Sequence, residues 1–308
     1  MVDVIIPVYR PDEKLERLIE RLKEQTVQPA HIFFMQTLTG TEEDVKVRNL
    51  LQTLENAVIT PVEKKDFDHG GTRNQGAALS QAEFMLFMTQ DAVPVDEFLI
   101  EKMLGALEEE AVATAYARQL PTERTGIIEQ YTRRFNYPDS SSIKSREDLP
   151  HLGIKTYFCS NVCAMYRKRV YEEMGGFVLH TIFNEDMIMA AHIIGAGYKI
   201  AYVAEAEVVH AHKYTYRQQF TRNFDLAVSQ RQYKEIFDGV KSETEGVRLV
   251  KDTMKYLMKN GKWYLIPDLV LQSGFKFLGY RFGKKYKSLP LWLVRRMSMN
   301  KSYWRDGK

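Results

Sequence analysis

The sequence predicts an α/β fold: a mostly parallel sheet flanked by helices, followed by a basic helical extension. Three observations carry this. Short apolar, β-rich runs alternate with helix-period segments from Val2 to Pro61. Phe84–Met88, FMLFM, is apolar without interruption, as a strand covered on both faces requires. The last stretch, Lys255–Lys308, holds 13 Lys/Arg against 2 Asp/Glu, a net of +11, which leaves −8 on the rest of a 308-residue chain of formal charge +3.

Val2–Val8, VDVIIPV, is the first strand, and Tyr9-Arg10-Pro11 is the loop at its end. Asp12 is placed to cap a helix in which Leu15, Leu18, Ile19 and Leu22 recur at helical spacing through Lys23. His31–Gln36 and Ala57–Pro61 are the next strands, separated by a polar loop, Thr37–Glu43, and a helix to about Glu55. This βαβ order implies parallel pairing with right-handed crossovers. Lys65–Asn74, KDFDHGGTRN, reads as a loop whose paired glycines allow close backbone approach or positive φ. Thr72, Arg73 and Asn74 then open a helix to about Ala82, and a helix N-terminus beside an arginine suits an anion. An ordinary turn with a solvated Arg73 fits the same residues. The segment is neither a G-x-G-x-x-G dinucleotide fingerprint nor a P-loop, which argues against a nicotinamide-type oxidoreductase.

Thr89-Gln90-Asp91 stops the buried run, and Pro94, with no N–H, is expected to end pairing. A carboxylate at the C-terminal end of a buried strand sits where open α/β sheets bind ligands. Capping the helix over Glu97–Glu109 falls more naturally to Asp96. Tyr9-Arg10, Gly70–Asn74 and Gln90-Asp91 follow strands on one sheet edge. They offer a cation, backbone donors and a carboxylate, a set suited to a nucleoside diphosphate with Mg²⁺ or Mn²⁺.

Val112–Tyr116 is strand-like, with Arg118 and Gln119 beyond its end on the ligand side. Ile128–Phe135 is helical. The polar, Ser-rich Asp139–Asp148 reads as a mobile loop, either closing over substrate or a surface insertion. Tyr157–Tyr166, YFCSNVCAMY, reads as one strand with Ser160 and Asn161 midway, and Gly175-Gly176-Phe177 as a turn. Asn184-Glu185-Asp186 then opens the apolar helix Met187–Ile194, where the helix dipole favours acidic residues in any case. The strand in Lys199–Val209 ends in His210-Ala211-His212, whose alternate spacing puts both imidazoles on one side. Arg217 and Arg222 follow within YTYRQQFTRNFD.

Cys159 and Cys163 are too few for a disulfide framework and read as packing residues of a cytosolic chain. The chain opens on a strand, so no signal peptide is expected, and no run of 18 uncharged apolar residues forms a spanning helix. In the basic C-terminal third, Trp263–Leu271, Phe275–Phe282 and Leu289–Met297 mix aromatic and aliphatic residues with Lys276, Arg281, Lys284, Lys285, Lys287, Arg295 and Arg296. That mixture suits interfacial helices on an anionic lipid surface, or packing against the body or a partner subunit, rather than nucleic acid.

VDVIIPVYRP, FDHGGTRNQG, TQDAVP, ARQLP, FNYP, GGF, NEDMIMA and the tail FLGYRFGKKYKSLPLW together resemble glycosyltransferase family 2, and within it bacterial rhamnosyltransferases of cell-wall and capsular polysaccharide synthesis. The resemblance implies a GT-A catalytic domain over residues 1–215, with a nucleotide-sugar half to about 120 and an acceptor half beyond, then a C-terminal helical, membrane-associating region over 216–308. It implies inverting transfer, with L-rhamnose from dTDP-L-rhamnose as donor and a lipid-linked saccharide as acceptor, on the cytoplasmic face of the membrane. The implied catalytic residues are Asp186 as base and Glu185 lining the site. The implied donor-binding residues are Pro7, Tyr9, Arg10, Gly71, Arg73, Asn74, Gln90, Asp91, Arg118, Arg217 and Arg222. Asp91 with His210 and His212 would hold a divalent metal, Mg²⁺ or Mn²⁺. Two features depart from the family pattern. Its D-x-D is reduced to Gln90-Asp91-Ala92, and its acidic cluster after the second strand is replaced by Gln36-Thr37-Leu38-Thr39. A UDP-hexose donor, a non-catalytic membrane adaptor of the same fold, and a homo-oligomer stay open.

Overall fold

In the computed structural model, which describes residues 1–240 and 243–304, nine strands form one sheet. They are β1 (Val2–Val8), β2 (Ile32–Thr37), β3 (Ala57–Val62), β4 (Phe84–Met88), β5 (Val93–Pro94), β6 (Val112–Leu120), β7 (Ser142–Lys144), β8 (Cys163–Arg167) and β9 (Lys199–Val209). The order is β3-β2-β1-β4-β8-β6-β9-β5, with β7 also on β9. β3, β2, β1 and β4 pair in parallel; β8 runs against β4 and β6, and β6 and β9 are again parallel. Six strands therefore point one way, and β5, β7 and β8 oppose them. The C-terminal ends of β1, β4, β6 and β9 and the start of β8 thus share one sheet edge.

Period-two alternation sorts the strand residues between two cores. Val4, Ile6, Leu86 and Met88 face one side, with Leu15, Leu18, Ile19 and Leu22 of α1 (Lys14–Lys23), Leu51 of α2 (Glu43–Leu51) and Leu99, Ile100 and Met103 of α4 (Leu99–Gly105). Ile5, Met85 and Phe87 face the other, with Ala77 of α3 (His69–Leu79), Val170 and Tyr171 of α7 (Lys168–Glu173) and Met189, Ile193 and Ile194 of α8 (Glu185–Gly195). Each such side chain contributes about 1.5–3 kcal/mol on full burial. Two short helices complete this part of the chain, α5 (Ile127–Asn136) and α6 (Leu149–Leu152).

Several local expectations are corrected. Gly70 and Gly71 do not form a loop. They lie in the first turn of α3, because Asp68 caps it by accepting the Gly71 N–H at 2.6 Å. Close approach is the reason for Gly70: a Cβ there would lie 2.1 Å from the Val178 carbonyl. Pro94 is the last residue of the two-residue edge strand β5, where it still pairs with Val208; an edge strand tolerates a missing N–H. Arg118 and Gln119 lie within β6, which runs on to Leu120. Residues 139–148 are ordered, because β7 pairs with β9 and Ser145 and Asp148 form a capping box. The run from Tyr157 to Tyr166 is strand only from Cys163; its first half leaves a 3₁₀ turn, and Ser160 and Asn161 sit in the bend at the sheet edge.

Among the described residues the C-terminal third has five α-helices, α9 (Tyr216–Gln232), α10 (Lys234–Phe237), α11 (Glu243–Lys259), α12 (Ile266–Lys284) and α13 (Leu291–Met297), joined in part by short 3₁₀ turns. Phe224 and Val228 of α9 pack with Ile182, Val294 and Trp304. Asp225 accepts the Met299 and Asn300 N–H groups at 2.8 and 3.2 Å, tying this end of the described chain to α9. α12 crosses α9 at Gly279 and Gly283, where an added Cβ would stand 2.2 and 2.3 Å from the Phe220 and Phe224 carbonyls. Among the described residues no helix is long and apolar enough to cross a membrane.

That crossing predicts a contrast. Gly279→Val should lower unfolding stability by about 1–3 kcal/mol through forced separation of α9 and α12. Gly274→Ala, one turn earlier and facing open space, should stabilise α12 by up to about 1 kcal/mol. Urea denaturation of both variants measures the difference, and equal stabilities would remove the close crossing.

Candidate active site at the sheet edge

The site is assembled by strand ends. β1 delivers Tyr9 and β4 delivers Gln90 and Asp91. The Gln90 amide clasps the Tyr9 backbone, accepting its N–H at 2.7 Å and donating to its carbonyl at 2.9 Å. Gln90 is therefore spent on fixing the β1 loop. Arg10 follows at φ 44°, exposed, its guanidinium 5.4 Å from the Tyr9 ring centre. Pro7 lies half-buried within β1 beside Met35.

β9 delivers the histidines. The ladder with β6 continues past the strand end, because the His210 N–H donates to the Leu120 carbonyl at 3.0 Å. His210 Nε2 then lies 3.6 Å from Asp91 Oδ1, His212 Nε2 lies 3.2 Å from Asp91 Oδ2, and the two Nε2 atoms are 3.0 Å apart. The three ligand atoms fall within 4.8 Å of one another. Burial lowers the pKa of both imidazoles; Asp91 opposes the shift, and Lys14 and Arg133 reinforce it. Both rings are thus neutral near pH 7, with a lone pair available. The donor set fits a divalent cation: bonds of about 2.1 Å place adjacent ligands of an octahedron about 3 Å apart.

On the other side of the edge, α8 opens at Asn184 in the left-handed region, φ 65°. Glu185 is buried against Arg73, whose Nη1 is 3.2 Å from Glu185 Oε1 and donates to the His69 carbonyl at 2.9 Å. Burial raises the Glu185 pKa, but Arg73 and His69 outweigh it and hold the carboxyl below the usual range. Among the described residues Asp186 forms no ion pair, and Arg73 lowers its pKa only as a lesser influence. Asp186 accepts the Asn161 N–H at 3.3 Å, and burial with the adjacent Glu185 charge pushes its pKa up to about 7. Two neighbouring carboxyl groups are split into a permanent anion and a group poised to exchange a proton near neutrality.

The remaining expected residues fall into two sets. Arg222 stacks on Phe183 and Tyr214, at 4.7 and 5.5 Å, and Tyr214 in turn contacts the His212 ring. Arg73 faces inward and is not solvated. Gly71 packs on Asp68, and Asn74 clasps both backbone groups of Phe177. Arg118 is paired with Glu207 at 3.2 Å, and Arg217 is exposed on the first turn of α9. The structure adds residues to which the sequence reading assigns no site role, although it places Gln119 on the ligand side. His69 lies beside Arg73, and Ser160, Gln119 and Arg133 connect His210 to the Asp186 side. Gln119 was noticeable in the sequence as a strand-end polar residue; Arg133, on an amphipathic helix, carried no signal.

Known proteins match this chain in sequence and in fold. The model of the family "Glycosyl transferase family 2" matches residues 3–175. The O-antigen chain rhamnosyltransferase RfbN of Salmonella typhimurium is 40% identical over 99% of this chain and 96% of its own length. The O-antigen chain rhamnosyltransferase WbaN of Salmonella anatum is 40% identical over 98% and 95%. Among solved structures, the mannosyltransferase PcManGT from Pyrobaculum calidifontis in complex with GDP-Man and Mn²⁺ superposes with TM-score 0.59 at 14% identity, over 98% of this chain and 84% of that one. Residues 1–349 of S. aureus TarS in complex with UDP-GlcNAc give 0.55 at 13% identity, over 93% and 91%. These two share the fold. The family match over more than half of the chain, with relatives aligned along nearly its whole length, establishes that the chain belongs to glycosyltransferase family 2.

Proposed function

We propose that this glycosyltransferase moves L-rhamnose from dTDP-L-rhamnose to a saccharide on a membrane lipid carrier, inverting the anomeric carbon. The observation that carries the reading is the 40% identity to O-antigen rhamnosyltransferases across 99% of the chain. The site chemistry agrees with it. Asp186 accepts the proton of the acceptor hydroxyl as it attacks the anomeric carbon. Glu185, held ionised by Arg73, keeps the pKa of Asp186 high enough for that work. Asp91, His210 and His212 hold a divalent cation, which when bound neutralises charge on the nucleoside diphosphate. Two imidazoles in the set favour Mn²⁺ over Mg²⁺. Tyr9 and Arg10 flank the donor, and Arg222 supplies a cation beside His212.

The acceptor's lipid sets the location, a peripheral position on the cytoplasmic face of the membrane. α12 supports this: Val270, Leu271, Phe277 and Leu278 form an exposed stripe on the face turned from α9. Trp263 and Trp292 are each 66% exposed within the basic third of the chain. Apolar residues flanked by cations suit an anionic bilayer surface. Arg305 and Lys308 of the basic stretch lie outside the described residues.

Three measurements test this reading. Asp186→Asn keeps shape and loses basicity, so turnover should fall by about 10²-fold or more. In the wild-type enzyme kcat/KM should rise with pH through about 7, the value of Asp186, and this limb should vanish in the variant. Near wild-type turnover would place the base elsewhere. For the donor, dTDP-rhamnose with Mn²⁺ should release dTDP, while UDP-glucose and UDP-N-acetylglucosamine should not react. Chelator should abolish release, and full activity in excess chelator would remove the metal. For the membrane, full-length protein should co-sediment with anionic vesicles at low salt and poorly with neutral ones. Phe277→Asp with Leu278→Asp should abolish co-sedimentation while circular dichroism stays unchanged; unaltered vesicle binding would exclude the α12 stripe.

A further inference from the structure

Gln119 is buried, at 3% exposure, on the penultimate residue of β6. Its amide has three partners. Arg133 Nη1 donates to Oε1, Nε2 donates to Ser160 Oγ at 3.0 Å, and His210 Nδ1 stands 3.1 Å from Oε1. The orientation of the amide is forced, because a guanidinium only donates and must face the oxygen. Ser160 then takes the NH₂ group. His210 Nδ1 consequently faces an acceptor and must carry the hydrogen. In a neutral imidazole this leaves the lone pair on Nε2, the atom 3.0 Å from His212 Nε2 and 3.6 Å from Asp91 Oδ1.

We propose that Gln119 is a positioning residue that fixes the Nδ1–H form of His210 and so turns its Nε2 lone pair toward the divalent cation. This rests on the metal reading of Asp91, His210 and His212 given above. A histidine side chain in water favours hydrogen on Nε2, which would block that atom as a ligand, so the chain must impose the other form. Arg133 and Ser160 prevent the amide from turning over, and Arg133 is itself held by Glu129 at 3.3 Å. Hydrogen bonds to the far nitrogen of a ligating histidine typically change metal affinity by about 10- to 100-fold.

The test uses full-length protein and Mn²⁺ alone, with titration calorimetry and ¹⁵N-histidine NMR of the metal-free state. The wild type should show His210 with hydrogen on Nδ1. Gln119→Leu should populate the Nε2–H form and weaken Mn²⁺ binding by about 10- to 100-fold. Gln119→Glu, which still accepts from Arg133 and His210, should restore both. A wild-type His210 in the Nε2–H form overturns the proposal without any variant. Mn²⁺ affinity unmoved by Gln119→Leu in folded protein overturns the role of Gln119 and leaves the metal site standing. A wild type with the expected His210 form that takes up no Mn²⁺ overturns the metal reading and the role built on it.

Discussion

The parallel ladder between β6 and β9 is the constraint on which the site depends. Its pairs Gln119–Val208 and Leu120–Val209, extended by the His210 N–H on the Leu120 carbonyl, fix where His210 and Gln119 meet. A register slip of one residue would turn every β9 side chain to the opposite face and carry His210 away from Asp91. The ladder already contains a shift between Ala117 and Arg118, beside the Arg118–Glu207 pair, so its register after the bulge is set locally. β8 completes the arrangement. Because it runs against its neighbours, the bend that precedes it brings Ser160 and Asn161 to the edge where β1, β4, β6 and β9 end.

Function and stability pull apart at the acidic pair. Arg73 is ion-paired with Glu185, whereas at Asp186 the opposing effects of two backbone N–H groups and of Arg73 do not offset burial and the Glu185 charge. The folded pKa of Asp186, about 7, lies above the ordinary aspartate value of 3.8. The folded state therefore holds more protons than the unfolded one across that interval, and this residue makes stability fall as pH rises from about 4 to about 7. In the proposed mechanism, the charge that Asp186 carries above neutrality is the one that takes the acceptor's proton. Asp225 repeats the pattern on α9 in milder form, pushed up to about 6 by burial while holding the Met299 and Asn300 amides.

Much of this was legible in the sequence where one signal dominates. Val2–Val8, Phe84–Met88 and Lys199–Val209 are strands because apolar runs of that length have few alternatives. The grouping of Asp91, His210 and His212 was implied by the family resemblance, and the alternate spacing of the two histidines at the end of a strand agreed with it. What was not legible depends on distant partners. Gly70 and Gly71 look like loop residues by propensity, yet the Asp68 cap and the Val178 carbonyl draw them into a helix. Residues 139–148 look solvated and mobile, but Lys144 is buried and its Nζ donates to backbone carbonyls of Lys155 and Phe158. Arg73 reads as an anion-binding cation at a helix start, and only the fold brings Glu185 to it.

In the mechanism proposed above, Asp186 takes the proton of the acceptor hydroxyl while the nucleoside diphosphate leaves, which makes the transfer a single displacement. The anomeric configuration of the product tests that most directly, read by proton NMR on the sugar transferred from dTDP-rhamnose to a saccharide acceptor. A single displacement predicts the anomeric configuration opposite to that of the donor. A product that retains the donor's configuration would contradict the account, because it would require a covalent intermediate or a second nucleophile that the Asp186 site does not supply.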